Sequence, residues 1–251
     1  MNDIVNPKAD AWDLVGGLFW KIGRKNAKPN DSMIASFLSG VSKKDRIMVI
    51  GASTKFLVEA ALLKSEHITV IDFSSKMCED LREEIHDEHC SILVQDILSP
   101  PNTENLTQQN VIIAERLVNR FSSAETQQFF NNIRHFLAAD GLVRLTIKLG
   151  LYEIDKSLIA EGERKGTLLN FYDQNAKVID FSQAKEELKT SVVAHGDIPR
   201  DLLIRWYEGR GKEARFDDAD ILQLINKYGY KILEHKLIDE ETNTFFYEFK
   251  R

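Results

Sequence analysis

Three positions in the chain have the residue types and spacing to hold a nucleoside. Gly51 follows the apolar run Ile47-Met48-Val49-Ile50, and a helical pattern begins at once after it. A tight turn from strand to helix brings backbone N–H groups up to a ligand, as in the first unit of a doubly wound sheet. Asp72 closes "ITVID" 21 residues after Gly51, and a carboxylate at the end of a second strand accepts hydrogen bonds from both hydroxyls of a ribose. Asp96 closes "ILVQD"; an acid there, with a neighbouring amide, reads the amino and ring nitrogens of an adenine. An acid at a strand end is commonly a turn or cap residue, so each position alone is weak. Together, in order and at strand–helix–strand spacing, they are a stronger signal. The turn itself departs from G-x-G-x-x-G, which needs glycines at 53 and 56, where the chain has Ser53 and Phe56.

Such positions require a sheet whose strands all end on one side. Apolar periodicity predicts strands at 47–51, 67–72, 91–95, 110–114 and 142–148, with helices at 54–64, 75–87 and 123–138 between them. Short strands alternating with helices imply a parallel sheet covered on both faces. Before it, Asp31 or Ser32 can cap a helix carrying Ile34, Phe37, Leu38 and Val41 on one face. From 151 to about 215 the regularity fails, and glycines such as Gly162, Gly196 and Gly211 punctuate a charged stretch of two or three short helices and loops. Asp217 or Asp218 then caps a helix that ends at Gly229, and "KILEHKLID" and "TNTFFYEFK" make a terminal hairpin. The expected fold is α/β: a doubly wound, mostly parallel seven-stranded sheet with a C-terminal antiparallel hairpin, an N-terminal helical lid and a helical cap insertion. The expected divisions are a lid at 1–44, a core at 45–150, a cap at 151–215 and the closing helix and hairpin at 216–251.

Composition narrows the partners. With 43% apolar and 29% charged residues and a net charge of −6, the chain has no general attraction for nucleic acid or an anionic membrane. A small-molecule or protein partner is favoured, with a small-molecule substrate expected, and oligomeric state is left open. Cys78 and Cys90 cannot form a metal cage, and the six histidines are scattered, with His86 and His89 on a polar helix end, so no metal site is expected. No signal-peptide pattern opens the sequence and no stretch of about 18 apolar residues occurs, so a cytoplasmic location is expected.

The segments "IMVIGAS", "ITVIDFSSKMCEDL", "CSILVQDILS" and "FFNNIRHFLAADGLVRLTI" resemble the class I S-adenosylmethionine-dependent methyltransferases. The resemblance runs from about residue 45 to 149 and resumes at "FDDADILQLINKYGYKILEHKL". It implies S-adenosylmethionine as cofactor, with Gly51, Ala52 and Ser53 against the methionine part and Asp72 on the ribose. Phe73 and Ile97 would lie on the adenine faces and Asp96 at its edge. Met77, the end of Asp72-Phe-Ser-Ser-Lys-Met77, and Glu115 complete the implied cofactor set, and Glu115 to Arg120 would line the reaction site. The chain departs from the family at Val49, where an acid is usual, at Ser53 and Lys55, where glycines are usual, and at Asn110. Ser53 offers a hydroxyl and Lys55 a charge to the methionine carboxylate.

Methyl transfer from a sulfonium needs alignment, exclusion of water and sometimes a base. Asn119 in "ERLVNRF" falls where small-molecule members of the family often place a polar residue beside the methyl group, and Tyr172 in "LNFYDQN" is the cap's candidate. His195 is a possible general base, and Trp12, Phe19 and Trp20 could close over the cofactor. The Asn/Asp-Pro-Pro-Tyr/Phe motif of amino-acceptor nucleic-acid enzymes is absent. The first reading is thus methylation of a small metabolite. A second keeps the cofactor but lets its α-amine attack its own γ-carbon, releasing methylthioadenosine and azetidine-2-carboxylate. A third is a non-catalytic adenosyl-binding protein. A nicotinamide-dependent dehydrogenase is disfavoured by the missing glycines and the terminal hairpin.

Overall fold

The structure is a computed structural model that describes residues 7–15, 28–52, 55–100, 108–194 and 198–251. In chain order its first half comprises α1 (Pro7–Val15), α2 (Asp31–Phe37), β1 (Arg46–Ile50), α3 (Lys55–Leu62), β2 (His67–Asp72), α4 (Ser75–Glu84), β3 (Cys90–Val94) and β4 (Gln109–Glu115). A 3-10 turn (Val118–Arg120) leads to α5 (Ser123–Phe136) and β5 (Leu137–Lys148). The cap holds α6 (Glu153–Lys165), α7 (Leu168–Phe171), β6 (Tyr172–Asp173), β7 (Val178–Asp180), α8 (Lys185–Ser191), α9 (Arg200–Gly209) and β8 (Lys212–Ala214). The chain closes with α10 (Asp218–Lys227), β9 (Lys231–Asp239) and β10 (Thr244–Lys250).

The main sheet has the order β3-β2-β1-β4-β5-β10-β9. Strands β1 to β5 run parallel, and β10 is antiparallel to both of its neighbours. Val49 of β1 pairs with Val70 on one side and Ile113 on the other. A strand flanked on both edges and covered on both faces buries every side chain, which is why Ile47 to Ile50 read as unbroken apolar sequence. On one face Met48, Ile50 and Ile112 meet Phe129 and Ile133 of α5 and Ile221 of α10. On the other, Ile47 and Val49 meet Met33 and Phe37 of α2, Leu57 of α3 and Leu81 of α4.

Two boundaries shift from the sequence expectation. Helix α2 lies in the core layer, where Phe37 packs edge-on against Phe246 with centroids 5.9 Å apart. Its cap is Asn30, whose Oδ1 accepts the Met33 amide at 2.9 Å, one position before the expected acid. Strand β5 begins as soon as α5 ends, and Gly141 passes so close to β4 that a Cβ there would lie 2.8 Å from the Gln109 carbonyl oxygen. At the other end, α10 is capped by Asp217, one of the two acids the sequence offers, in a reciprocal box with Asp220.

The cap is more ordered than short helices and loops. Among the described residues it carries four helices and a three-stranded antiparallel sheet, β6-β7-β8. Strands of two or three residues have no readable periodicity. Helix α1 joins this cap core: Ala11 and Val15 share one apolar cluster with Leu203, Ile204 and Trp206. The N-terminal segment thus divides, with α1 going to the cap and α2 to the sheet.

Candidate functional site

The cavity lies beyond the carboxyl ends of β1, β2, β3 and β4, where ligands bind in open α/β sheets. Gly51 turns there with φ +106°, a conformation that disfavours any residue with a Cβ, and its amide donates to the Ile71 carbonyl at 2.8 Å. The next amide, of Ala52, donates to Asp72 Oδ2 at 2.8 Å, and the Ser74 amide donates to Oδ1 at 2.8 Å. One carboxylate therefore ties the β1 turn to the start of α4. Each oxygen keeps a further lone pair, and Asp72 lines the cavity. Burial pushes the Asp72 carboxyl up to about 6, against these two amides and with help from the charges of Asp13 and Asp96. Hydroxyl donors from a ligand would favour its ionised form.

Phe73, Asp96, Ile97 and Leu98 line the same end. Asp96 Oδ1 accepts the Leu98 amide at 2.9 Å, and Asn132 Nδ2 fixes the loop by donating to the carbonyls of Ile97 (2.8 Å) and Ser99 (3.1 Å). The arrangement offers a diol acceptor, an apolar slot and a second acid in sequence, the shape of a nucleoside site.

The other end is built from the β4 terminus, α1 and the cap. Glu115 is paired with Arg116 at 2.5 Å. Arg116 has φ +47°, and its amide donates to Thr146 O at 2.9 Å. Trp12 of α1 meets Trp206 of α9 edge-on at 5.4 Å, and both line the cavity. Lys8 Nζ donates to Glu125 (2.6 Å) and to the carbonyls of Arg120 (2.9 Å) and Lys212 (3.1 Å). Asp13 of α1 is hydrogen-bonded by the Ser74 hydroxyl, so this helix also reaches the Asp72 end of the cavity.

Of the residues expected from the sequence, Gly51, Asp72, Phe73, Asp96, Ile97 and Glu115 come together around the cavity. Ala52 is fully buried and contributes its amide. Met77 is a correction: it is 1% exposed in the apolar layer between α4 and the sheet, because the helical period turns it inward with Leu81. Asn119 is fully buried and does not line the cavity. Its Nδ2 donates to Lys148 O at 2.8 Å and its Oδ1 accepts the Lys148 amide at 2.9 Å, so both halves of the amide lock the 3-10 turn to the end of β5. Tyr172 pairs with Ile179 in the small sheet, packs on the cap core and does not line the cavity. Lys55 is turned to the helix surface, with Nζ 2.7 Å from Glu84 and 3.9 Å from Glu59. Ser53, Phe19, Trp20 and His195 lie outside the described residues.

Lys8, Gln95, Leu98 and Phe121 also line the cavity and carry no sequence signal that separates them from ordinary surface or core residues. Among the described residues, no group of three His, Cys, Asp or Glu side chains is placed to hold a metal ion, and no helix is long and apolar enough to cross a membrane.

No protein-family model and no curated protein sequence matches the chain. Solved structures do. A Rhodobacter sphaeroides protein described as a putative Zn-dependent alcohol dehydrogenase is 37% identical, with TM-score 0.93 over 99% of this chain and 100% of that one. The CcbJ methyltransferase from Streptomyces caelestis is 13% identical, with TM-score 0.62 over 97% and 98% of the two chains. The N-methyltransferase NodS from Bradyrhizobium japonicum WM9, in complex with S-adenosyl-L-homocysteine, is 11% identical, with TM-score 0.57 over 97% of each. The chain therefore belongs to one family with the Rhodobacter sphaeroides protein, and its fold is that of the class I S-adenosylmethionine-dependent methyltransferases.

Proposed function

We propose that the chain is an S-adenosylmethionine-dependent enzyme that methylates a small metabolite. The observation that carries this reading is Asp72: a cavity-lining carboxylate at the end of β2, preset by the Ala52 and Ser74 amides to receive a ribose diol. Phe73 and Ile97 suit the two faces of an adenine, Asp96 its polar edge, and Glu115 the ammonium of the aminobutyrate chain. When bound, S-adenosylmethionine supplies a methyl group already activated on a cationic sulfur.

The chain's own work is then to hold and to enclose. Trp12 and Trp206 close the chamber from α1 and α9, excluding water and offering aromatic faces to a cation. Enclosure by a helix and a cap, with a net charge of −6, favours a metabolite-sized acceptor over a polyanionic polymer. Asn119 and Tyr172 act as supports, Asn119 by fixing the wall that follows β4. The zinc chemistry in the relative's description does not fit the donors among the described residues. Nicotinamide binding fits poorly with a first turn that has a single glycine and a sheet that ends antiparallel.

The test is incubation with S-adenosylmethionine, alone and with pools of small metabolites, followed by mass spectrometry of the adenosyl product. Adenosylhomocysteine formed only with an acceptor supports methyl transfer. Methylthioadenosine formed from the cofactor alone replaces it with the cyclising reaction, and absence of any binding rejects both.

A further inference from the structure

The cap wall beside the cavity is built from ions. Glu213, fully buried in β8, accepts both arms of Arg210, with Nε–Oε1 2.7 Å and Nη2–Oε2 2.6 Å. Arg215 adds a bond to Glu213 Oε2 at 3.1 Å and grips Asp155 through Nε (2.6 Å) and Nη2 (3.0 Å). Arg210 is also surrounded by the rings of Trp206, Tyr207 and Phe181 at 4.6, 4.7 and 4.8 Å. Arg120 completes the cluster, 3.7 Å from Glu213 Oε2 and 5.4 Å from the Tyr152 ring centroid.

Three guanidiniums (Arg120, Arg210, Arg215) face two carboxylates (Glu213, Asp155), so the cluster carries one positive charge in excess. Lys148 lies 4.8 Å from the same Tyr152 ring and adds to the positive side. Buried charge is costly unless matched. Arg210 and Arg215 are matched by two-armed pairs. Arg120 has the longest contact to its acid, and it is the member of the three that lines the cavity. The other ions at this end are already in pairs, Glu115 with Arg116 and Lys8 with Glu125. Lys55, the cation that the β1 turn offered in the sequence, is held by Glu84 and Glu59 on the helix surface.

We propose that Arg120 docks a carboxylate inside the reaction chamber. The planar fork of Arg120, in a cluster with more cations than carboxylates, matches a carboxylate. This rests on the S-adenosylmethionine reading, and the carboxylate has two sources: the cofactor's own aminobutyrate chain, or an acceptor that is a carboxylic acid.

Calorimetry on the full chain separates them, using S-adenosylhomocysteine, which carries the carboxylate, and methylthioadenosine, which lacks it. If the cofactor's carboxylate docks, Arg120→Ala weakens adenosylhomocysteine at least about tenfold, leaves methylthioadenosine unchanged, and Arg120→Lys restores part of the loss. If the acceptor's docks, both nucleosides bind Arg120→Ala as they bind wild type. A panel of small carboxylates (acetate, benzoate, indole-3-acetate) then binds the adenosylhomocysteine-saturated wild type but not the variant, and benzamide binds neither. Equal weakening of both nucleosides, or no difference between the proteins across nucleosides and carboxylates, overturns the assignment. Failure of wild type to bind either nucleoside overturns the cofactor reading itself, and the docking role with it.

Discussion

A Cβ placed on Gly209 would stand 2.6 Å from the Ala11 methyl, so α1 and α9 meet where nothing larger than hydrogen fits. The contact joins the helix that brings Lys8 and Trp12 to the cavity with the helix that brings Trp206. Whether the chamber is covered depends on this approach.

Gly209→Ala inserts a methyl into that contact, and overpacking of this kind costs about 1–3 kcal/mol. Displacing α1 from α9 relieves the strain and carries Lys8 and Trp12 away from the cavity. Adenosylhomocysteine affinity is expected to fall about tenfold while the thermal midpoint of the sheet core changes little. Calorimetry and tryptophan fluorescence of the Trp12–Trp206 pair check this; unchanged affinity with a repacked helix would show that α1 is not the cover.

Nucleoside binding is expected to strengthen with pH through the range set by Asp72. Burial pushes its carboxyl up to about 6, and ribose hydroxyls donate to the ionised form. The acid is mostly neutral at pH 5 and mostly ionised at pH 7, so adenosylhomocysteine affinity should be about tenfold weaker at pH 5 than at pH 7. Asp72→Asn should bind weakly at both values and lose the dependence. An Asn variant that keeps the slope would place the titration elsewhere.

Glu213 makes the cap sensitive to acid. Three guanidiniums, Arg210 first, hold its carboxyl down at about 2 in spite of burial. A depressed folded value stabilises the protein above the unfolded value near 4.5, and that stability is lost as pH falls from there toward 2. The expected slope is about 1.4 kcal/mol per pH unit from this group. Glu213→Gln removes the slope and, by leaving buried guanidiniums unmatched, destabilises the fold by about 3–5 kcal/mol. Urea titrations of both proteins between pH 3 and 6 measure it.

Asn119→Ala should act on stability more than on ligand binding. It strips partners from the Lys148 amide and carbonyl, which costs about 1–3 kcal/mol each where no water replaces them. With the folded fraction accounted for, adenosylhomocysteine affinity should stay within about twofold of wild type. A loss of turnover with unchanged stability would return Asn119 to the chemistry.

Much of the frame was legible because its signals are local. Apolar runs and helical period mark β1 to β4, α3 and α4, and the polar turn between β9 and β10 marks the hairpin. Since a parallel unit puts all its strand ends on one side, Gly51, Asp72 and Asp96 follow from the sequence to a shared rim. The reading went wrong where a residue's face was known but its neighbour was not. Met77 lies on α4 next to the acid motif, yet the inner face of that helix meets the sheet and not the cavity. Lys55 stands in the turn, and two glutamates from the helix surface take its charge.

The sequence by itself thus determined the sheet, its terminal hairpin and the rim where Gly51, Asp72 and Asp96 meet, because periodicity and turn chemistry act over a few residues. Only the tertiary structure decided what stands at the other end of the chamber. Lys8 meets the Arg120 carbonyl across 112 residues of chain, and Arg120 meets Glu213 only because the 3-10 turn packs against β8. Those pairings are set by how whole elements pack, and charge balance in a buried cluster is a property of the packed set, not of any one residue.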